Sequence, residues 1–327
     1  MNPINRGVLL FNLGGPETLQ AVRPFLYNLF SDPGIVRIKS DILRKTLAWF
    51  IAAARHKKSE DLYRQIGGGS PLRRITEEQA AALSLRLKAM GFPTRIYVGM
   101  RCSNPSIDKA VERILQDGIT RLVLLPLFPQ YSVTTTGSCL KYFDILQQKL
   151  GLKSRMEIFS VDSWFEEPLY VESMADVIWQ GLMRFTSKGT ETIHLLYSAH
   201  SIPERYVRQG DPFLEQTRRS VDLINEQLDN AFPSTLAFQS KIGPVKWLGP
   251  STRDTLAEMG RKRIGKVLAI PISFVSDHIE TLQEIGMAYR DLARQSGIGE
   301  FQRADAPNLH PRFIDALAHI AARTGRF

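Results

Sequence analysis

Apolar and polar positions in this chain alternate in blocks. Short runs of consecutive apolar residues recur, bounded by polar or glycine-containing turns and separated by segments of helical period. The first half predicts strands at 7–13, 95–100, 121–127 and 156–161, with helices at 76–90, 107–116 and 139–150. The second half repeats the plan, with strands at 192–198, 236–239, 266–272 and 300–303 and helices at 168–185, 214–228, 252–259, 277–292 and 311–323. Such alternation predicts an α/β protein of two similar lobes, each a mainly parallel four-stranded sheet flanked by helices. The expected division is a first lobe over 1–162, a second over 163–304, and a final helix in 305–327 that packs back on the first lobe. No internal sequence repeat or low-complexity segment accompanies this plan.

One segment breaks the pattern. Residues 35–55 contain no strand, yet Leu43, Leu47, Phe50, Ile51 and Ala54 fall on one helical face. Arg44, Lys45 and Arg55 interrupt that face and Lys57-Lys58 continue the charge. Two readings stand: a helix packed on its own lobe, or an exposed lip that touches a membrane or a greasy ligand.

Composition narrows the class. Hydrophobic residues make up 43% of the 327, enough for a substantial core, and the longest apolar run, 47–54, is far short of a membrane span. Residues 8–13 are short, contain Asn12 and lack a small-residue cleavage site, so no signal peptide is expected. The only two cysteines, Cys102 and Cys139, lie 37 residues apart without metal-ligand spacing. A reducing, cytoplasmic setting is expected, with no disulfide framework and no iron–sulfur cluster built by this chain alone. The net charge of +9 favours anionic partners. No basic run interleaved with aromatics stands out, so nucleic acid is not expected.

Chemistry concentrates after two strands of the second half. Leu195-Leu196-Tyr197-Ser198-Ala199-His200 is an apolar run that ends in a histidine, where an open α/β sheet binds ligands. About 70 residues later, Ser273-Phe274-Val275-Ser276-Asp277-His278-Ile279-Glu280 follows another such run. Asp277, Glu280 and Glu284 share one face of the helix expected there, a repulsive arrangement unless a cation or proton compensates it. Asp277 also suits a helix cap, and the two glutamates a solvated face. Gly14-Gly15 and Gly67-Gly68-Gly69 lack dinucleotide or P-loop spacing. The hydroxyl-rich 130–138 segment would bind carboxylates or cap a helix, and the Gly/Pro loop at 239–250 carries Trp247, an aromatic wall for a flat ligand or a side chain tucked onto its own core.

Together, segments 11–18, 63–71, 97–101, 125–138, 198–203, 210–212, 239–250 and 274–282 resemble the ferrochelatases, which insert ferrous iron into a porphyrin. The resemblance spans nearly the whole chain in order and implies two Rossmann-like lobes with a porphyrin cleft between them. It places the family's catalytic, metal-contacting histidine and glutamate on His200 and Glu280. It puts Asp277, His278 and Glu284 on a proton or metal path, and Leu13, Arg55, Tyr63, Ser70, Arg101, Tyr131 and Trp247 against the porphyrin. Cys102-Ser103-Asn104 departs from the more aromatic, histidine-containing stretch expected after Arg101. The form of 239–250 resembles the protoporphyrin-using branch more than the coproporphyrin-using one. The resemblance implies Fe²⁺ as substrate, no permanently bound cofactor, peripheral contact with an anionic membrane, and transient contact with neighbouring haem-pathway enzymes. A non-catalytic porphyrin carrier and a chelatase for cobalt or nickel in another tetrapyrrole are the alternatives.

Overall fold

The computed structural model describes residues 5–36, 38–186, 192–241 and 245–327. It divides into two compact units, one of residues 1–164 and 314–327, the other of 165–313. The division thus falls at Trp164/Phe165, and most of the final helix, Pro311–Gly325, belongs to the first unit.

The first unit holds strands β1 (Arg6–Asn12), β2 (Arg95–Met100), β3 (Arg121–Pro126) and β4 (Glu157–Ser160), all parallel in the order β2-β1-β3-β4. Side chains alternate across a strand, and both faces of β1 and β3 are apolar and buried. Leu9, Phe11, Leu122 and Leu124 pack with Val111 and Ile114 of helix Ile107–Gln116 and Phe143 of helix Thr136–Leu150. Burying each such side chain contributes roughly 1.5–3 kcal/mol. Ser106 starts the first of these helices by accepting from the Lys109 amide at 3.4 Å. Cys102 and Cys139 are both buried and unbridged.

The second unit repeats the order with β5 (His194–His200), β6 (Ser234–Gln239), β7 (Lys266–Pro271) and β8 (Glu300–Arg303), arranged β6-β5-β7-β8 and again all parallel. The strand expected to stop at residue 198 continues to His200, which pairs in register with Gln239. In a doubly wound sheet of this order, neighbouring connections leave β5 and β7 toward opposite sides, which opens a crevice at their carboxyl ends.

Two helices differ from expectation. The segment after β7 does not start an α-helix at Asp277: Glu280–Ala288 winds as a π-helix and continues as the α-helix Tyr289–Gln295. Ile285, Tyr289 and Ala293 anchor it on the apolar face of β7 and its neighbours. The second is Asp41–Gln65, 25 residues long, which Ser40 caps by accepting from the Leu43 amide. Its buried face is Arg44, Ala48, Ala52 and Tyr63. Ile42, Leu43, Leu47, Trp49 and Phe50 are exposed, so the apolar stripe is not packed on its own unit. Arg37 of that segment lies outside the described residues.

Candidate functional site

The polar cluster of the second unit is assembled where β5, β6 and β7 end. His200 is the last residue of β5, and its amide donates to Ser273 Oγ, just past β7, at 2.9 Å. Its Nδ1 lies 2.8 Å from Glu280 Oε2, contributed by the first turn of the π-helix. The ring's Nε2 makes no hydrogen bond among the described residues, and about a third of the side chain is exposed. The Glu280 bond therefore fixes the ring and leaves one nitrogen toward the crevice. Phe274 sets one wall: its ring stands edge-on to His200 and lies 4.6 Å from the His278 ring.

Ser240 joins the two glutamates. Its hydroxyl lies 2.6 Å from Glu284 Oε2 and 3.0 Å from Glu280 Oε2, so one proton serves two carboxylates. Gln239 Nε2 donates to both at 3.4 Å and is oriented by Ser198, whose hydroxyl donates to Gln239 Oε1 at 2.6 Å. Ser240 reaches this position with φ of +63°, in the left-handed region that a residue with a side chain rarely adopts. Tyr289 closes the far end by donating to Glu284 Oε1 at 2.9 Å.

The electrostatics follow. Burial works against a charged His200, but the adjoining Glu280 carboxylate, with Glu284 behind it, outweighs this and raises the imidazole pKa. Burial likewise opposes charge on Glu280, yet His200 and His278 hold it well below the usual carboxylate range. Glu284 moves the other way, raised by burial and then by the Glu280 charge. Burial lowers His278, whose Nδ1 faces the Ser276 carbonyl at 3.1 Å and suits a neutral ring.

The structure thus brings His200, Glu280 and Glu284 together, with His278 close enough to respond to their charge. It does not leave Asp277 on their stripe. Asp277 Oδ1 accepts from Thr281 and Arg303, and its Oδ2 from Asn308, at 2.7–2.8 Å. The helix starts later than the sequence suggests, so the α-helical spacing that aligned Asp277 with Glu280 does not apply. Trp247 is half-buried, bridged in antiparallel fashion to Pro203, while residues 242–244 of its loop lie outside the described residues.

The remaining predicted residues belong to the first unit. Leu13 follows β1, and its carbonyl accepts from the Cys102 amide at 2.9 Å. The Arg101 amide donates to Asn12 O, and the Ser70 amide to Pro16 O, so these segments meet at one carboxyl edge. Gly14, at φ +91°, and Gly15 keep that approach open: a Cβ on Gly15 would stand 2.7 Å from Ser70 Oγ. Arg101 is engaged already, 2.9 Å from the buried Asp32 and 4.1 Å above the Tyr142 ring. Arg55 is exposed and makes no ion pair among the described residues, although its guanidinium lies over the Phe30 ring at 6.0 Å. Tyr63 is buried, and the Tyr131 hydroxyl lies over Gly137.

Sequence reasoning passed over Gln239, Ser240, Ser273 and Tyr289 as working parts. Gln239-Ser240 follow β6 directly, at the edge that already singled out His200, and that position was the available signal.

This repeated parallel architecture recurs in solved chelatases. SirB from Bacillus subtilis with Fe³⁺ superposes with a TM-score of 0.56 at 12% identity, covering 98% of this chain and 95% of that one. The sirohydrochlorin chelatase SirB from B. subtilis subspecies spizizenii, in complex with cobalt, gives 0.51 at 14% identity over 76% and 89%. Those likenesses establish the fold, and sequence carries the rest. The family model described as Ferrochelatase matches residues 5–324. Ferrochelatase of Gloeothece citriformis is 48% identical over 96% of this chain and 81% of its own, and that of Gloeobacter violaceus 47% identical over 96% of each. The chain belongs to the ferrochelatase family.

Proposed function

We propose that this enzyme inserts ferrous iron into protoporphyrin IX to give protohaem, the last step of haem biosynthesis, releasing two protons. The observation that carries the chemistry is the His200–Glu280 pair at the crevice between β5 and β7, in a chain of this family. A free-base porphyrin holds two pyrrole N–H protons that must leave as the metal enters. His200 Nε2 is the group free to accept them, or to hand over Fe²⁺, and Glu280 stabilises the resulting imidazolium. Glu284, linked through Ser240 and favouring its proton, releases that proton outward and, once a carboxylate, takes the next one from the pair. His278, neutral and packed on Phe274, borders this path. Asp277 acts through its position, not as a carrier.

In the first unit Leu13, Ser70 and Tyr131 are the macrocycle contacts that the family resemblance implies, with Tyr63 supporting them from its buried place in the long helix; Trp247 is the one it implies in the second. Arg55, unpaired by acids among the described residues, is a better partner for a propionate than Arg101, which Asp32 already holds. Fe²⁺ enters as substrate, and no resident cofactor is required. The two buried cysteines offer no cluster ligand set, so the purified protein should lack iron–sulfur absorbance in the visible. The exposed apolar lip, on a chain of net charge +9, suits peripheral contact with an anionic membrane where a poorly soluble porphyrin resides. That placement is cytoplasmic, on the inner face, within reach of transient partners of the same pathway. None of the described helices is long and apolar enough to cross a membrane.

Anaerobic incubation with Fe²⁺ and either protoporphyrin IX or coproporphyrin III tests the reading. Conversion of the four-band free-base spectrum to a haem spectrum supports it, and the faster porphyrin names the substrate. Binding of both without conversion would sink the enzymatic reading and leave a carrier.

A further inference from the structure

Asp277 is held by three side chains, and its charged partner comes from the far edge of the sheet. Arg303, the last residue of β8, donates from Nη1 to Asp277 Oδ1 at 2.8 Å and from Nη2 to Asp305 Oδ1 at 2.8 Å. Both members of the Arg303–Asp277 pair have side chains only 12% exposed. Asn308 clamps the same residue twice, Nδ2 to Asp277 Oδ2 at 2.7 Å and Oδ1 from the Asp277 amide at 2.8 Å. Thr281 Oγ1 donates to Asp277 Oδ1 while accepting from the His278 amide at 3.0 Å. The Arg303 stem also lies along the π-helix: a Cβ on Gly286 would stand 3.4 Å from Arg303 Nε and 3.5 Å from its Cδ.

A π-helix is rare and poorly favoured by its own backbone, so surrounding structure must impose it. Here one guanidinium fixes both the entry to the helix, through Asp277, and its middle, beside Gly286. Without those anchors the segment would relax toward α-helical winding. Glu280 and Glu284 would then rotate relative to His200 and Ser240, which are fixed on β5 and after β6.

We propose that Arg303 is a positioning residue for iron insertion, acting through Asp277 to hold the π-helical winding that sets Glu280 against His200. This rests on the functional reading above, in which that pair carries the chemistry. Arg303 touches neither substrate.

The test uses the whole protein with Fe²⁺ and protoporphyrin IX. In Arg303→Met, kcat should fall about 10- to 100-fold, the scale of a small misplacement of catalytic groups. KM and porphyrin affinity, read by fluorescence quenching, should stay within about twofold, because remote binding contacts are untouched. Amide exchange across 280–288 should accelerate while β5 and β7 stay protected. Arg303→Lys, which keeps the charge and loses the fork, should recover part of kcat. Ile224→Ala, a buried truncation on helix Phe213–Gln227, controls for lowered stability and should leave kcat at permissive temperature unchanged. If Arg303→Met does not fold, Asp277→Asn breaks the same pair and should show the same kcat-only loss and the same local exchange. Equal kcat in Arg303→Met and Ile224→Ala, or exchange that rises no more at 280–288 than elsewhere, would overturn the proposal. Should the unsubstituted protein form no metalloporphyrin, the functional reading falls, while the exchange comparison still decides whether Arg303 holds the helix.

Discussion

Glu280 and Glu284 stand four residues apart on one helix, share the Ser240 hydroxyl, and are displaced in opposite directions: Glu280 toward the charged form by His200, Glu284 toward the neutral form by burial and by Glu280. The consequence for catalysis has a definite sign. His200 must be unprotonated to accept a pyrrole proton, and its pKa is raised above the usual 6.5. The acid limb of kcat/KM should therefore have its midpoint above 6.5, and Glu280→Gln should move that midpoint to lower pH, since the charge that raised it is gone. A pH–rate profile of both proteins decides this. Stability carries matching signs: the His200 contribution is complete below 6.5 and lost as pH climbs past its raised value. That of Glu280 is complete above 4.5 and lost as pH falls through its lowered one. Replacing His200 with Ala should cut insertion at least about 100-fold, the lower end of what a general base contributes, with porphyrin affinity retained. Retained turnover would remove His200 from the proposed role. The place of this pair was legible in the sequence because both residues come at or after apolar runs that read as strands, and the family resemblance singled the two out. Ser240 was not, because a serine in a Gly/Pro loop gives no sign that its backbone will turn left-handed toward two carboxylates.

Among the elements, the central strands β1, β3 and β7 were readable closely, because burial on both faces forces uninterrupted apolar runs. The helix after β7 was readable in place but not in kind, since the four-residue spacing of Ile285, Tyr289 and Ala293 reads as an ordinary α-helix in the sequence. Its winding comes from Arg303 and Asn308, distant in sequence from its start. The long helix Asp41–Gln65 shows another limit: a regular apolar stripe looks identical whether it is packed or exposed, and here Ala48 and Ala52 face inward while Trp49 and Phe50 do not. Changing Trp49, Phe50 and Ile51 together to serine should therefore cost about 0.5 kcal/mol or less at each of the exposed Trp49 and Phe50, and more at the half-buried Ile51, yet abolish co-sedimentation with anionic vesicles. Unchanged vesicle binding would reduce the lip to solvent-facing structure. A turn gives a contrasting case. A Cβ on Gly69 would run into the Glu17 carbonyl, a backbone atom that cannot swing away. Gly69→Ala should lower stability by about 1–3 kcal/mol, visible as a fall in Tm, and loosen the Ser70–Pro16 junction.

At the scale of the whole molecule, the same strand order occurs twice, yet among the described residues only the second sheet carries the histidine–carboxylate cluster at its carboxyl edge. The block alternation of the sequence revealed both sheets because each strand is legible alone. It could not reveal which loops meet at each edge, since those contacts, such as Arg101 with Asn12 and Ser70 with Pro16, join distant segments. A donor set of imidazole and carboxylate does not select iron by affinity, so Zn²⁺ and Co²⁺ should also be inserted in vitro, as absorbance at each metalloporphyrin's bands will show. The net charge of +9 makes the expected vesicle binding sensitive to salt: it should weaken markedly between 0.01 and 0.15 M ionic strength, as the screening length shrinks from about 30 to 8 Å. The two unbridged cysteines bear on a different hazard. Ferrous iron in air generates peroxide, which attacks thiolates far faster than thiols. Burial, with Asp32 beside it, pushes Cys102 up to about 12, and burial also raises Cys139, so neither offers a thiolate at neutral pH. A protein that handles a reactive metal thus keeps its only sulfhydryls chemically silent, and its fold is its protection against the oxidants its own substrate produces.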